Sequence, residues 1–442
     1  MANPYLPSWE YIPDGEPRVF GDRVYVYGSH DCPESTQYCD YKLRVWSAPL
    51  NDLSHWVCHG DVFHTKPDME HFSSVDWTDN PLYAPDVIEK DGKYYLYFYI
   101  LCADGGVAVS DSPTGPFELL SRYKRPENTG EEFCEYGIFV DPGVLVDEGK
   151  VYIYCGFTRS YMVQLNPENM YEVLEGTYID NIIPVEEPFR FYEACSPRRV
   201  KDTYYLIYSP LNGSCLDYAT SDSPTGPFDY RGTIVDNSLE YPGGNDHGSI
   251  CNINGQWYIF YHRMTNNTDK SRRGCVEKIQ ILPDGTIPQV EMTSLGFEEA
   301  LSPYEKNDAE RACVLIGGNY ITEQFPWSHP IIENCHQCVV GYKYFEFGEK
   351  NTTRSLTLNF LVRIYQTGII NIYIDHYKDG LQIGMINLKE EQISEEFTWV
   401  TTEVLCVEGR HSLYFVFESE EKSGNIADLE QFIFTMKNVR GE

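Results

Sequence analysis

The sequence predicts an all-β chain: a five-bladed β-propeller followed by a β-sandwich of jelly-roll type. Three observations carry that expectation. The 442 residues include 35 Tyr, 34 Gly and 26 Pro, a mixture of strand formers and turn formers. One strand grammar recurs five times at intervals of about 50 to 70 residues, the length of a four-stranded blade with its loops. After residue 297 the grammar stops, and a second series of short, regularly spaced strands begins.

The five copies are "GDRVYVYG" (21–28), "DGKYYLYF" (91–98), "EGKVYIYC" (148–155), "KDTYYLIY" (201–208) and "NGQWYIFY" (254–261). In each, a turn rich in Gly, Asp or Asn leads into an aromatic, β-branched run, and no helical period competes with it. A second repeat is nearly literal. "SDSPTGPF" occurs from Ser110 and again from Ser221, and its Pro and Gly mark a turn.

Ahead of each aromatic run stands a charged residue: Asp14 in "PDGEP", Asp86 in "APDV", Asp141 in "VDPGV", Glu193 in "YEACSP", and Asp246 with His247 in "NDHGSI". A single Asp in a Pro/Gly turn is usually a turn former, and a lone His is usually a satisfied core residue. The shared offset sets these apart, because positions repeated in every blade converge on one channel mouth. Two carboxyl groups facing each other across a small pocket are the equipment for cleaving a glycosidic bond. One delivers a proton to the leaving oxygen while the other acts on water, and their surroundings must pull them apart. Glu193 lies among Phe191, Tyr192 and Ala194, an apolar setting that favours the protonated acid. Asp14, in a polar turn offering backbone N–H donors, is the candidate base. Asp141 is a third charge able to keep Glu193 protonated and oriented. His247 is expected either to contact the sugar or to bind a central cation.

In order, "YIPDGEP", "YAPDV", "VDPGV", "FYEACSPRRV" and "HGSICNINGQWYIFYHR" resemble glycoside hydrolase family 43 over roughly residues 3–297. The resemblance implies a propeller that hydrolyses arabinosides, xylosides and some galactosides with inversion. It implies Asp14 as general base, Glu193 as general acid and Asp141 as the residue that tunes and orients Glu193. It further implies Arg263, in "YHR", against the sugar and His247 near the pocket centre, beside Ca2+ in some members. Tyr83 stands where many members have Trp, and Asp86 is a further candidate sugar contact. Inversion requires about 6.5 to 9.5 Å between base and acid, so that a water fits.

Residues 298–310 are expected to be a linker. From about Cys313 to Lys437 the strands resemble a family 6 carbohydrate-binding module, although Asp428 and Gln431 stand where those modules carry an Asn and a Trp. "CHQC" (335–338) lacks the second ligand pair of a structural zinc site. The Asn-X-Thr matches at Asn266 and Asn351 carry little weight in a chain expected to be cytoplasmic.

Bulk properties narrow the partners. A formal net charge of −33 argues against nucleic acid, whose phosphates need Lys and Arg, and no apolar run is long enough for a membrane helix. The absence of a signal-like start and the fourteen irregularly spaced cysteines point to a reducing, cytoplasmic setting. The expected domains are a catalytic propeller (1–297), the linker and a sandwich (311–442). The expected activity is an exo-acting, inverting glycosidase requiring no cofactor, either an α-L-arabinofuranosidase or a β-D-xylosidase, acting on oligosaccharides. The alternatives are a β-D-galactofuranosidase on the same scaffold and a non-catalytic sugar-binding propeller.

Overall fold

Tight turns between apolar runs favour antiparallel meanders, in which each strand pairs with the next. The computed structural model describes residues 2–123, 139–349 and 354–438, and its first nineteen strands form five such sheets. Blade one contains β1 (Glu16–Phe20), β2 (Arg23–Gly28), β3 (Lys42–Pro49) and β4 (Val57–His64). Blade two contains β5 (Leu82–Lys90), β6 (Lys93–Ile100), β7 (Ala103–Ser110) and β8 (Glu118–Arg122). Blade three contains β9 (Gly143–Asp147), β10 (Lys150–Gly156), β11 (Ser160–Leu165) and β12 (Ile179–Asp180). Blade four contains β13 (Phe191–Val200), β14 (Thr203–Pro210), β15 (Cys215–Ser221) and β16 (Asp229–Asp236), and blade five β17 (Ser249–Ile253), β18 (Gln256–Thr265) and β19 (Thr268–Ile279). The aromatic runs are therefore the second strands.

The first strands pack side by side around the axis: β1 with β5, β5 with β9, β9 with β13, and β17 with β1. Two arginines lace them together. Arg18 of β1 donates to Asp86 of β5 at 2.9 and 2.5 Å and to the Val144 carbonyl of β9 at 3.0 Å. Arg198 of β13 donates to Glu16 just inside β1 (2.6 Å) and to the Ile250 carbonyl of β17 (3.0 Å). Such buried pairs hold register because removing one partner strands the other charge, at a cost of about 3 to 5 kcal/mol.

The literal repeat is an interblade latch. The Tyr27 hydroxyl of blade one donates to the Pro113 carbonyl of blade two, and the equivalent Tyr154 of blade three to Pro224 of blade four, at 2.6 and 2.5 Å. Blade five has three strands, and the N-terminal segment covers its outer edge. The Asn3 side chain donates to the Val276 carbonyl and accepts from the Val276 N–H (both 2.9 Å), while the Tyr5 N–H donates to the Gly274 carbonyl. Tyr5 and Leu6 also pack into a core shared by Val24, Val26 and Phe260, which joins blade five to blade one.

The remaining strands are β20 (Asn307–Asp308), β21 (Val314–Ile316), β22 (Tyr320–Ile321), β23 (Ile331–Ile332), β24 (Val339–Glu346), β25 (Arg354–Ile364), β26 (Gly368–Ile374), β27 (Leu381–Leu388), β28 (Thr398–Val404), β29 (Arg410–Glu418) and β30 (Ala427–Asn438). They form two facing sheets, β22-β23-β30-β25-β28 (with β20 on β30) and β21-β24-β29-β26-β27. Residues 298–310, expected as a linker, hydrogen-bond into this sandwich: Leu301 pairs with Tyr344 and Glu346, and Asn307 and Asp308 pair with β30. One continuous apolar cluster joins blades four and five to the sandwich, from Leu216 and Ile259 to Tyr342, Phe345 and Phe432. Asn351 lies outside the described residues.

Candidate active site

The site is one tier of the propeller. Counting along the second strands, Tyr83 pairs with Tyr99 and Glu193 with Ser209, two residues beyond the tier formed by Glu16 opposite Tyr27, Asp86 opposite Tyr97 and Ser249 opposite Phe260. Asp14, Asp141 and His247 likewise lie two residues before Glu16, Gly143 and Ser249. Each blade thus contributes one residue to the upper tier: Asp14, Tyr83, Asp141, Glu193 and His247. All five line one cavity of about 680 Å3. Backbone irregularity aims them. Asp14 and Asp141 adopt left-handed φ values of 56° and 49°, and β5 and β13 carry bulges after Tyr83 and around Glu193. Bulges re-aim side chains, and a left-handed non-glycine residue stores strain, often beside functional sites.

Two candidates from the sequence lie elsewhere, which corrects their reading. Asp86 belongs to the lower tier: it is fully buried, accepts from Arg18, and takes the Val144 N–H at 2.8 Å. Asp86 precedes Tyr97 by the same eleven residues by which Glu16 precedes Tyr27, whereas Asp14, Asp141 and His247 precede Tyr27, Tyr154 and Phe260 by thirteen, so an approximate offset reached the wrong tier. Arg263 is also fully buried, donating to the carbonyls of Ala312 (2.7 Å) and Glu310 (2.6 Å). Strand parity explains this. Arg263 pairs with Arg273 across β18 and β19, and both face the C-terminal sandwich, whereas the next residue, Arg272, faces the cavity.

Arg272 is the residue that sequence reasoning missed. It donates through Nη1 to Asp14 (3.0 Å) and Asp246 (3.1 Å), and its Nε and Nη2 grip Asp31 at 2.9 and 3.1 Å. The signal was present in "SRRG", a charged pair inside a strand that is otherwise buried. Asp14 also accepts from Ser29 Oγ (2.5 Å), and its backbone N–H donates to His262 Nδ1 (3.1 Å). His262 Nε2 lies 2.6 Å from Asp246, completing a closed polar ring beneath Asp14. Arg272→Lys keeps the charge but loses the fork. We expect a folded protein whose kcat/KM falls about 100-fold or more, while Arg263→Lys lowers Tm with kcat/KM nearly intact. Equal kinetic losses in the two variants would show that Arg272 has no special place.

The electrostatics separate the carboxyls. Burial, then the Asp141, Asp246 and Asp14 charges, push Glu193 well above the usual carboxylate range. Asp141 rises to about 7, through burial first and then its acidic neighbours, with His247 opposing. Burial disfavours the charged form of His247, yet Glu16 (3.5 Å away), Asp14 and Asp141 outweigh it and lift this imidazole to about 9. Asp246 is held low, because Arg272 and His262 outweigh its burial. A buried acid whose pKa is raised favours folding at low pH, and that contribution is lost as pH climbs through its folded value. Asp141→Asn should therefore raise Tm at pH 8 and leave it nearly unchanged at pH 3.5. The same shift at both pH values would point to packing instead.

Aromatic side chains complete the walls: Tyr38, Tyr83, Tyr99, Phe157 and Tyr192, with Tyr83 edge-on to Tyr99 at 6.0 Å. Ring faces and carboxylates together suit a sugar, whose C–H faces stack while its hydroxyls hydrogen-bond. In the sandwich, Asp428 is buried and accepts from Arg363, Tyr365 and Asn425, and Gln431 donates to Asp308. Both positions are satisfied internally.

The sequence profile of glycosyl hydrolases family 43 matches residues 17–287. A xylosidase/arabinosidase of Thermoclostridium stercorarium is 37% identical, over 94% of this chain and 95% of its own. Among solved structures, an arabinoxylan arabinofuranohydrolase of family 43 from Bacillus subtilis, in complex with cellotetraose, covers 98% of this chain and 97% of its own. Its TM-score is 0.58 at 23% identity, a likeness of fold across both parts of the chain. A β-xylosidase/α-arabinofuranosidase of family 43 from a compost metagenome, in complex with xylotriose and free of calcium, is 27% identical with a TM-score of 0.54. It covers 66% of this chain and 97% of its own.

Proposed function

The chain belongs to the glycosyl hydrolases of family 43, and from that premise we propose an exo-acting, inverting glycosidase that releases terminal arabinofuranosyl or xylosyl units from oligosaccharides. The observation carrying this reading is the upper tier: three carboxyl groups on three different blades, gathered around one cavity, with Asp14 gripped by a guanidinium and Glu193 favoured as the acid. Asp14 takes a proton from water as the water oxygen bonds to the anomeric carbon. The bond from that carbon to the bridging oxygen breaks, and the proton on Glu193 passes to the departing oxygen. Burial and the acidic neighbours Asp141, Asp246 and Asp14 keep Glu193 protonated, and Tyr83 offers a ring face to the sugar. On this reading residues 1–297 are the catalytic unit. The sandwich from 311 buttresses it, since Asp428 and Gln431 are engaged within the sandwich.

Calcium is left out of these steps because the donor set is a poor fit. Among the described residues, the fully buried carboxylate oxygen left without a hydrogen bond beside His247 Nε2 is Glu16 Oε1, and Arg18 and Arg198 occupy the neighbouring oxygens of Asp86 and Glu16. Calcium gathers roughly six to eight oxygens. A reducing compartment accords with the thirteen described cysteines, all free thiols.

A panel of aryl α-L-arabinofuranosides, β-D-xylosides and β-D-galactofuranosides identifies the sugar, and proton NMR of the first product anomer reads the stereochemistry. Product of inverted configuration is expected. Retention would remove Asp14 from the role of base, and no turnover across the panel would leave a sugar binder.

A further inference from the structure

We propose that His30, Cys32 and Asp40 form a binding site for a divalent transition-metal ion of the zinc class, beside the cavity but with none of the three lining it. His30 follows β2 by two residues, and the loop from 31 to 39 returns to it through the Asp40 N–H, which donates to the His30 carbonyl at 2.6 Å. That closure brings one imidazole nitrogen, one thiol and one carboxylate oxygen within 4.8 Å of one another. His30 Nδ1 stands 3.5 Å from Asp40 Oδ2, and Cys32 Sγ stands 3.6 Å from the same oxygen. Metal–ligand bonds of about 2.0 to 2.3 Å in tetrahedral array set donor atoms roughly 3.3 to 3.6 Å apart. Both donors that face Asp40 Oδ2 are already at that spacing.

Without a metal the three side chains answer one another: Cys32 Sγ donates to Asp40 Oδ2, and the buried His30 Nδ1, which has no well-formed hydrogen bond, pairs with that same oxygen. The opposite nitrogen, Nε2, lies 3.2 Å from Glu10 Oε1, and Glu10 is itself fixed by Trp46 Nε1 (2.8 Å) and Arg44. A carboxylate behind the imidazole is the arrangement that orients a histidine toward a metal. Asp40 Oδ1 accepts from the Tyr41 N–H (2.7 Å), which leaves Oδ2 turned to the cluster. Nitrogen, sulfur and oxygen donors together select a borderline ion such as zinc over calcium or magnesium. Binding displaces the proton of the Cys32 thiol and any proton on His30 Nδ1, while Nε2 keeps its proton toward Glu10, and water supplies the fourth ligand. The same loop carries Asp31, which grips Arg272, and Tyr38, which lines the cavity. The ion would therefore act as a clasp on the wall of the pocket.

The test uses the full chain stripped with a chelator and titrated with Co2+ alone. One equivalent should give the visible bands of tetrahedral cobalt and a thiolate-to-cobalt charge-transfer band in the near ultraviolet; Zn2+ should erase both, and Ca2+ neither. Cys32→Ser should remove the charge-transfer band while aryl glycoside turnover of the metal-free protein stays at the parent level. Glu10→Gln should weaken Co2+ binding roughly 10- to 100-fold, as loss of a supporting carboxylate does. The chain holds another cysteine pair, Cys335 and Cys338, so Cys335→Ser is the control and should leave the band in place. No thiolate band in the parent, or one that survives Cys32→Ser and vanishes in Cys335→Ser, overturns the site.

Discussion

Glu193→Ala should lower kcat/KM on unactivated oligosaccharides by about 10³- to 10⁴-fold, the span that a positioned general acid supplies. Aryl glycosides whose leaving groups depart without a proton should lose far less. The contrast follows from where Glu193 sits. It lies on β13 at a bulge that opens the strand toward the cavity, and its carboxyl is held in the protonated form by burial and by three acidic neighbours. Its proton matters only where the departing oxygen is strongly basic. In the parent enzyme the same shift predicts an alkaline limb: activity on oligosaccharides falls as pH rises through the acid's elevated pKa, and Glu193→Ala abolishes that limb. Steady-state rates on a series of aryl xylosides or arabinosides graded by leaving-group acidity decide the matter. A loss that is uniform across the series would assign the acid role to another residue.

Asp14→Ala should be poor on every substrate regardless of leaving group, with turnover down about 10⁴-fold, because the attacking water loses its base in both cases. The side chain vacates a space walled by Ser29 and Arg272, whose donors suit a small anion. Added azide should enter that space and restore part of the rate, yielding a glycosyl azide of inverted configuration. Mass spectrometry and NMR of the product read this directly. An Asp14→Ala enzyme that keeps a strong dependence on leaving group, and that azide leaves unchanged, would displace Asp14 from the mechanism.

Much of this architecture was legible in the residues. The Gly/Asp turns before the aromatic runs located every blade, because a turn and a β-branched stretch are local signals. Asp14, Asp141, Glu193 and His247 were legible as residues of one cavity because each stands at a similar offset before an aromatic strand, and Tyr83, marked by the family resemblance, joins them there. Asp86 does not join them. It stands at the spacing of Glu16, one tier deeper, and bulges displace Tyr83 and Glu193 by a residue, so a loosely counted offset does not separate the tiers. Arg263 and Arg272 illustrate a second limit. Both lie in the hairpin of β18 and β19, and strand parity alone decides which faces the pocket and which faces the sandwich. That choice required knowing that a second domain packs on one face. The hold of residues 298–310 on the sandwich was hidden for a similar reason, since their partners lie far along the chain.

The layer of Glu16, Arg18, Asp86 and Arg198 has one more consequence. It stands between the carboxyl-lined cavity and a second cavity of about 350 Å3 lined by Val19, Ile88 and Trp257 nearer the far ends of the first strands. Among the described residues the two cavities share no lining side chain, so this layer forms a floor beneath the carboxyl groups, a shape suited to receiving one end of a sugar chain at a time.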